Sequence, residues 1–455
     1  MGALRVPERA VTWRWFAGIG GATIHWAFQR ALLWNSAVTR VPVAATGGRF
    51  RMGWGRSSWQ RFGAVAVLAV LVVGCSSSSA TWPAIRPSVT PNGSGGPAPS
   101  AAHVIIPLSS AHASADATEA PRSTAGAVTV DAITADYTYK SELITPLAHL
   151  YGLQDFLDDF VIVTIKNENA SPVKVVVETQ ITDYTDKATD TVTVDANSSE
   201  EVRQNPRLTT TAIDSLNSAH QADLHVVVSY LQSGEPKTIL DQTSQTTVTS
   251  RRDFPWKIKG FSNQEIYNML AAMITPSDPG VEDLIRKAAN YDPSKAMTSG
   301  YDSQQDANNS VYQRMADIWQ AETTNFKLTY VSTTVSFEAA TQRIRLPSEV
   351  LTQSGGNCIE TTLLYAAAAE ALGLDAALIL IPGHAYVGIS VDDTDQSYYF
   401  IETTMIGQAT FDDAVKYGLS EWNQAQPHVA AGDAEYGWVD VPLARKDGIT
   451  PIPWH

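Results

Sequence analysis

Cysteine is nearly absent from this chain: Cys75 and Cys358 are the two present among 455 residues. Positive charge is also scarce, with 32 Lys and Arg against 47 Asp and Glu. What little there is sits at the N-terminus. Residues 1–74 hold nine Arg and one Glu, a net of +8, which leaves −23 on the rest of a chain whose total is −15. An acidic body lacks the basic footprint that nucleic-acid binding requires, so no nucleic-acid partner is expected. It suits a soluble, self-repelling particle. No Gly-rich phosphate loop of the P-loop type is present. Cys358 and His384 alone do not make a zinc set of three or four ligands, so no metal or other cofactor is expected.

Long apolar runs are missing too. The stretch Phe62 to Gly74 has 13 residues, short of the roughly 20 that span a bilayer but suited to the core of a signal peptide. It lies in "MGWGRSSWQRFGAVAVLAVLVVGC", Met52 to Cys75, where Arg56 and Arg61 form a basic start. "VVGC" resembles the cleavage box of bacterial lipoproteins. That resemblance implies a signal peptide over 52–74 and lipidation of Cys75, anchoring the protein to the outer face of the bacterial cell membrane. Residues 1–51 fit no signal and are consistent with an overlong start, since Met52 opens a normal signal peptide. Residues 75–127, rich in Ser, Ala, Pro and Gly, show no apolar period and read as a disordered tether. With Cys75 lipidated, Cys358 is the one free thiol and no intramolecular disulfide is possible.

The full chain is 44% hydrophobic, enough for real cores. Residues 128–254 are rich in Val, Thr and Ile with period-two stretches. "FVIVTIKN" (160–167), "PVKVVVETQIT" (172–182), "TVTVDA" (191–196), "LHVVVSYL" (224–231) and "TTVTS" (246–250) read as strands between polar turns. Several short strands of this kind predict an antiparallel β-sandwich. His225 alternates with Leu224 and Val226, so it is expected to point outward without a function. From 255 the pattern turns mixed. Ser262 and Glu265 form a capping-box pattern, and "DPGVEDLIRKAANY", "VYQRMADIWQAE" and "FDDAVKYGLSEW" read as helices. Helices first, then a helix on an antiparallel sheet, predict an α+β domain over 255–455. No internal repeat is visible.

The second cysteine has a distinctive setting. "SGGNCIETTLLYAAAAEALGL" places Cys358 between a Gly-Gly-Asn segment, read as a tight turn, and an Ala- and Leu-rich helix ending at Gly373. A helix N-terminus favours the thiolate, which is the nucleophile. "AALILI", "HAYVGISV" and "YYFIETT" follow as three strands, with His384 starting the second and Glu402 near the end of the third. Cysteine, histidine and carboxylate in this order suit a Cys-His-Glu triad: His384 takes the thiol proton and Glu402 fixes the imidazole tautomer. One register sets Val391 opposite Tyr398 and would leave Glu402 facing Val387; a direct His384–Glu402 pair needs another loop length or a bulge.

"QRIRLPSEVL", "GGNCIETTLLYAAAAEALGLDAALILIPGHAYVGI" and "YYFIETT" together resemble the bacterial transglutaminase-like superfamily, papain-related cysteine acyl-transfer and peptidase folds. The resemblance covers roughly 325–425. It implies Cys358 as nucleophile, His384 as base, Glu402 as orienting residue where many members carry Asp, and Gln342 as an oxyanion donor beside the Cys358 backbone N–H. Gln353 is the alternative donor. The expected chemistry is acyl transfer on amide bonds of a protein or peptide in the cell envelope, by hydrolysis or crosslinking. The competing expectations are a non-catalytic surface binding or scaffold lipoprotein and a lipid-anchored assembly partner for another envelope protein.

Overall fold

The computed structural model describes residues 102–103, 122–153, 157–232, 234–301, 310–332 and 340–453. Segment 1–51, the expected signal peptide 52–74 and the lipidation site Cys75 lie outside the described residues.

Two sheets are built from residues 122–248. One orders Arg122–Thr124, Ile133–Lys140, Val161–Asn167 and Ser198–Gln204, with Val128–Val130 added beside Ile133–Lys140. The other orders Glu142–Leu143, Glu235–Val248, His220–Gln232, Val173–Ile181 and Ala188–Val194. All pairings are antiparallel except that of Glu142–Leu143 with Glu235–Val248. Period two accounts for what is buried. Ile133, Ala135, Tyr137, Val161, Val163, Ile165, Val175, Val177, Leu224, Val226 and Val228 all point into one shared apolar core. Full burial of each larger aliphatic contributes about 1.5–3 kcal/mol. The Tyr137 hydroxyl meets Ser244 Oγ at 2.8 Å between the two sheets.

The stretch expected to be a tether through residue 127 contributes two short strands. Arg122–Thr124 pairs with Ile133–Lys140, and Arg122 donates to the Asp159 carbonyl at 2.7 and 2.8 Å. Ala102–His103 pairs with Ser397 and Tyr398. Two- and three-residue edge strands are held by ladder hydrogen bonds and need no apolar period, so composition does not reveal them. The boundary expected at 254 is crossed by pairing as well: Asp253–Pro255 runs antiparallel to Thr341–Arg343.

The remaining residues form a mixed α+β arrangement with mostly antiparallel sheets. Its five-stranded sheet orders Ala102–His103, Ser397–Ile401, His384–Ser390, Ala376–Ile381 and Gly437–Asp440. Alternate residues of the central strands face two different cores. Ala385, Val387 and Ile389 join the main core with the helix Cys358–Ala371; Tyr386 and Phe400 join Trp422 of the helix Phe411–Ala431. The Cys358–Ala371 helix is buried continuously from Cys358 to Ala369, as its apolar, Ala-rich sequence requires. The Ser262–Glu265 capping box opens the helix Asn263–Met269.

Candidate active site

Cys358 is the first residue of its helix and is 3% exposed. The preceding Asn357 caps the helix: its Oδ1 accepts from Glu360 N at 3.1 Å, while Glu360 Oε2 accepts from Asn357 N at 3.0 Å. Arg345 clamps the same carboxylate from outside, with Nε on Oε1 at 2.9 Å and Nη2 on Oε2 at 2.6 Å. The charge that Glu360 brings near the cysteine is thereby neutralised. Gly355 and Gly356 do not form the expected tight turn. They pair as a parallel bridge with Thr329 and Tyr330, and the left-handed residue is Ser354, at φ 54°. Glycine is required there by crowding instead. A Cβ on Gly355 would come within 2.9 Å of Val331 Cγ2, and one on Gly356 within 3.0 Å of Thr361 Cγ2.

His384 starts the strand after a two-residue Pro-Gly hairpin in which it pairs with Ile381. The neighbouring strand pairs Val387 with Ile401 and then ends. Extended, that register would set His384 opposite Thr404, not Glu402. Neither register considered from sequence is the one adopted. Glu402 leaves the strand as the cap of a short 3-10 turn, its Oε1 accepting from Thr404 N at 2.8 Å. It therefore sits diagonal to His384 on the same face, a separation that a long side chain can bridge. Glu402 Oε2 accepts from His384 Nε2 at 2.6 Å. The extra methylene of Glu over Asp supplies that reach. With Nε2 engaged, Nδ1 is the nitrogen left for the thiol.

Burial disfavours charge on the His384 ring, but the Glu402 carboxylate and a hydrogen bond to Cys358 outweigh it and hold the imidazolium well above the ordinary histidine range. Burial likewise pushes Glu402 up, and the facing His384 charge overcomes this and holds it below the ordinary carboxylate value. Threonines lock the three elements together. Thr361 and Thr362, one turn after Cys358, meet Thr403 Oγ1 at 2.9 and 3.2 Å, and Thr362 donates to the Ala385 carbonyl at 3.1 Å. All three are buried.

One residue of the site was not singled out from sequence. Glu421, on the helix Phe411–Ala431, has Oε2 3.9 Å from His384 Nε2. The available signal was its place at helical spacing with Phe411, Ala414, Gly418 and Ala425, the buried face. Gly418 brings that face close, since a Cβ there would stand 2.6 Å from the Phe400 carbonyl oxygen. Donor atoms of His384, Glu402 and Glu421 lie within 4.8 Å of one another. Nε2 is already spent on Glu402, so a metal there would have to displace that bond.

Gln342 is 8% exposed; its Oε1 accepts from Trp256 Nε1 at 2.9 Å, and its Nε2 is buried without a partner among the described residues. Gln353, the alternative donor, is exposed and its Oε1 is taken by Arg345 Nη1 at 2.6 Å. Tyr330 faces the site: burial first, then the charges of Cys358 and Glu402, raise its phenol above the ordinary value. His225 does face outward, its Nε2 2.7 Å from Asp241 Oδ1.

No protein-family model and no curated protein matches the chain. Among solved structures it is similar to a protein from Archaeoglobus fulgidus at 10% identity, over 28% of this chain and 98% of that one, with a TM-score of 0.17. A putative late embryogenesis abundant protein matches at 7% identity, over 29% of this chain and 71% of that one, with a TM-score of 0.16. Likeness at these scores carries no argument about fold or function.

Proposed function

We propose that this protein is a lipid-anchored bacterial surface protein whose C-terminal part, a transglutaminase-like domain following a β-sandwich, performs thiol-dependent acyl transfer on amide bonds. The observation that carries the reading is the 2.6 Å hydrogen bond between His384 Nε2 and Glu402, on a ring whose charge is also favoured by Cys358 at a helix N-terminus. The sulfur attacks an amide carbonyl carbon, and a C–S bond forms as the carbonyl oxygen becomes an oxyanion. The Cys358 N–H, unused inside its helix, is the first donor for that oxygen, and Gln342, whose Nε2 is unpartnered among the described residues, is the second that the resemblance implies. His384 returns the thiol proton to the leaving amine as the C–N bond breaks, leaving a thioester. Water then gives hydrolysis; a second amine gives crosslinking. Glu402 keeps the ring oriented in both its protonated and its neutral form.

The low exposure of Cys358, 3%, favours the second reading, a surface scaffold with an idle site. Incubation with p-nitrophenyl acetate separates the two. An acyl-transfer site releases about one equivalent of nitrophenol in a burst and gains one acetyl on Cys358 by mass, and Cys358→Ser does neither. Absence of any adduct on the native protein sinks the enzyme reading. Membrane anchoring is tested separately: Cys75→Ser releases the protein into the soluble fraction, and membrane retention of that variant contradicts the anchor.

A further inference from the structure

The three-residue scheme leaves one half-buried acid beside the ring unused. We infer that Glu421 is a positioning residue, a neutral carboxylic acid that donates a hydrogen bond to Glu402 and so fixes the carboxylate that orients His384. The inference rests on reading Cys358, His384 and Glu402 as an acyl-transfer triad. Glu402 and Glu421 both face one imidazole, and their surroundings are poor in charge. Tyr386 stacks on His384 at 6.0 Å, and Phe400 stacks on Trp422 at 4.7 Å. The titratable groups around Glu421 are His384 and Tyr386 from the histidine strand, Glu402 from the turn, and Tyr417 from its own helix. Among the described residues, no Lys or Arg forms an ion pair with either carboxyl group.

Two carboxylates facing one cation in such a place do not both ionise. Their partners decide which keeps the proton. Glu402 accepts from His384 Nε2, Thr404 N and Thr404 Oγ1, so its charge is well served. Glu421 Oε2 is buried and has no hydrogen-bond partner among the described residues. The proton therefore stays on Glu421, whose donor atom lies within 4.8 Å of that of Glu402, so that a small turn of the side chain brings the acid O–H onto the carboxylate. Burial first, and then the Glu402 carboxylate, push the Glu421 carboxyl up to about 9.

Infrared difference spectra of the full chain at pH 7, native minus Glu421→Gln, test this directly. The expected result is loss of a protonated-carboxyl carbonyl band in the variant. Alkylation of Cys358 by iodoacetamide gives the functional readout. Glu421→Leu slows labelling about tenfold at pH 7, the scale of a lost supporting contact, and Glu421→Gln, which still donates, restores most of that rate. The native rate shows an inflection near pH 9 that Glu421→Gln lacks. Gln labelling as slowly as Leu, or a difference spectrum with no lost acid band, overturns the inference even if Leu destabilises the fold. A His384→Ala variant labelled at the native rate overturns the triad reading itself, an outcome separate from the fate of the acid band.

Discussion

Two histidines on two sheets are each paired with a carboxylate at nearly the same distance. His225 meets Asp241 at 2.7 Å and His384 meets Glu402 at 2.6 Å. The side chains of the first pair are 42% and 64% exposed; those of the second are 19% and 2% exposed. At the surface, water screens the pair and its worth is small. At the end of the five-stranded sheet, the carboxylate is fixed by a turn, Cys358 adds to what holds the charge on the ring, and burial makes every charge depend on its neighbours. Distance alone does not distinguish a decorative ion pair from a chemical one. Burial and a third connected group do.

The sharpest way to break this comparison is to remove each ring in turn. His384→Ala slows iodoacetamide labelling of Cys358 at pH 7 by about 100-fold, the low end of general-base effects, while His225→Ala leaves it unchanged; equal effects would erase the distinction. Shortening the carboxylate comes next. Glu402→Asp keeps the charge but loses the reach across the diagonal, and labelling falls about tenfold. Native-like labelling of that variant would show that the contact does not depend on the extra methylene.

A buried acid away from the site extends the contrast. Glu322 is 1% exposed, neither of its carboxyl oxygens has a partner among the described residues, and burial raises it well above the ordinary value. The unfolded chain releases this proton above pH 4.5 and the folded one keeps it, so rising pH favours unfolding. Glu322→Met removes that penalty and stabilises the fold at pH 7 by about 1–3 kcal/mol. Urea unfolding at pH 5 and pH 8 should show the gain growing with pH; a less stable variant would contradict it. The smallest effect belongs to Thr403→Val, which strips the hydroxyl shared by Thr361 and Thr362. A loss of about 1 kcal/mol in the same unfolding measurement is expected.

Much of the site's scaffold was legible from local pattern. The Ala-rich run after Asn357, the apolar strand Ala376–Ile381 and the Pro-Gly hairpin before His384 follow from propensity and period two. What could not be read was set by distant partners. Glu402 reaches His384 because its strand stops at Ile401 and turns, a matter of register that no single strand encodes. The Gly355–Gly356 pair looked like a turn because glycine signals both left-handed backbone and close packing, and here it is the second. Glu421 reads as an ordinary helical acid until Gly418 is seen to press that helix onto Phe400. The edge strands Ala102–His103 and Arg122–Thr124, of two and three residues, are too short for a sequence period to reveal them.

The central claim is that Glu402 and Cys358 together hold the charge on the His384 ring. Nitrogen-15 NMR of the His384 ring from pH 5 to pH 10, in the native chain and in Cys358→Ala, tests it most directly. A ring raised by its partners adds stability that is fully present below the unfolded value of 6.5 and is lost as pH rises through the folded one. The account predicts an imidazolium that survives well above pH 6.5 in the native chain and deprotonates at lower pH once Cys358 is removed. A ring that titrates near 6.5 in both proteins would contradict it.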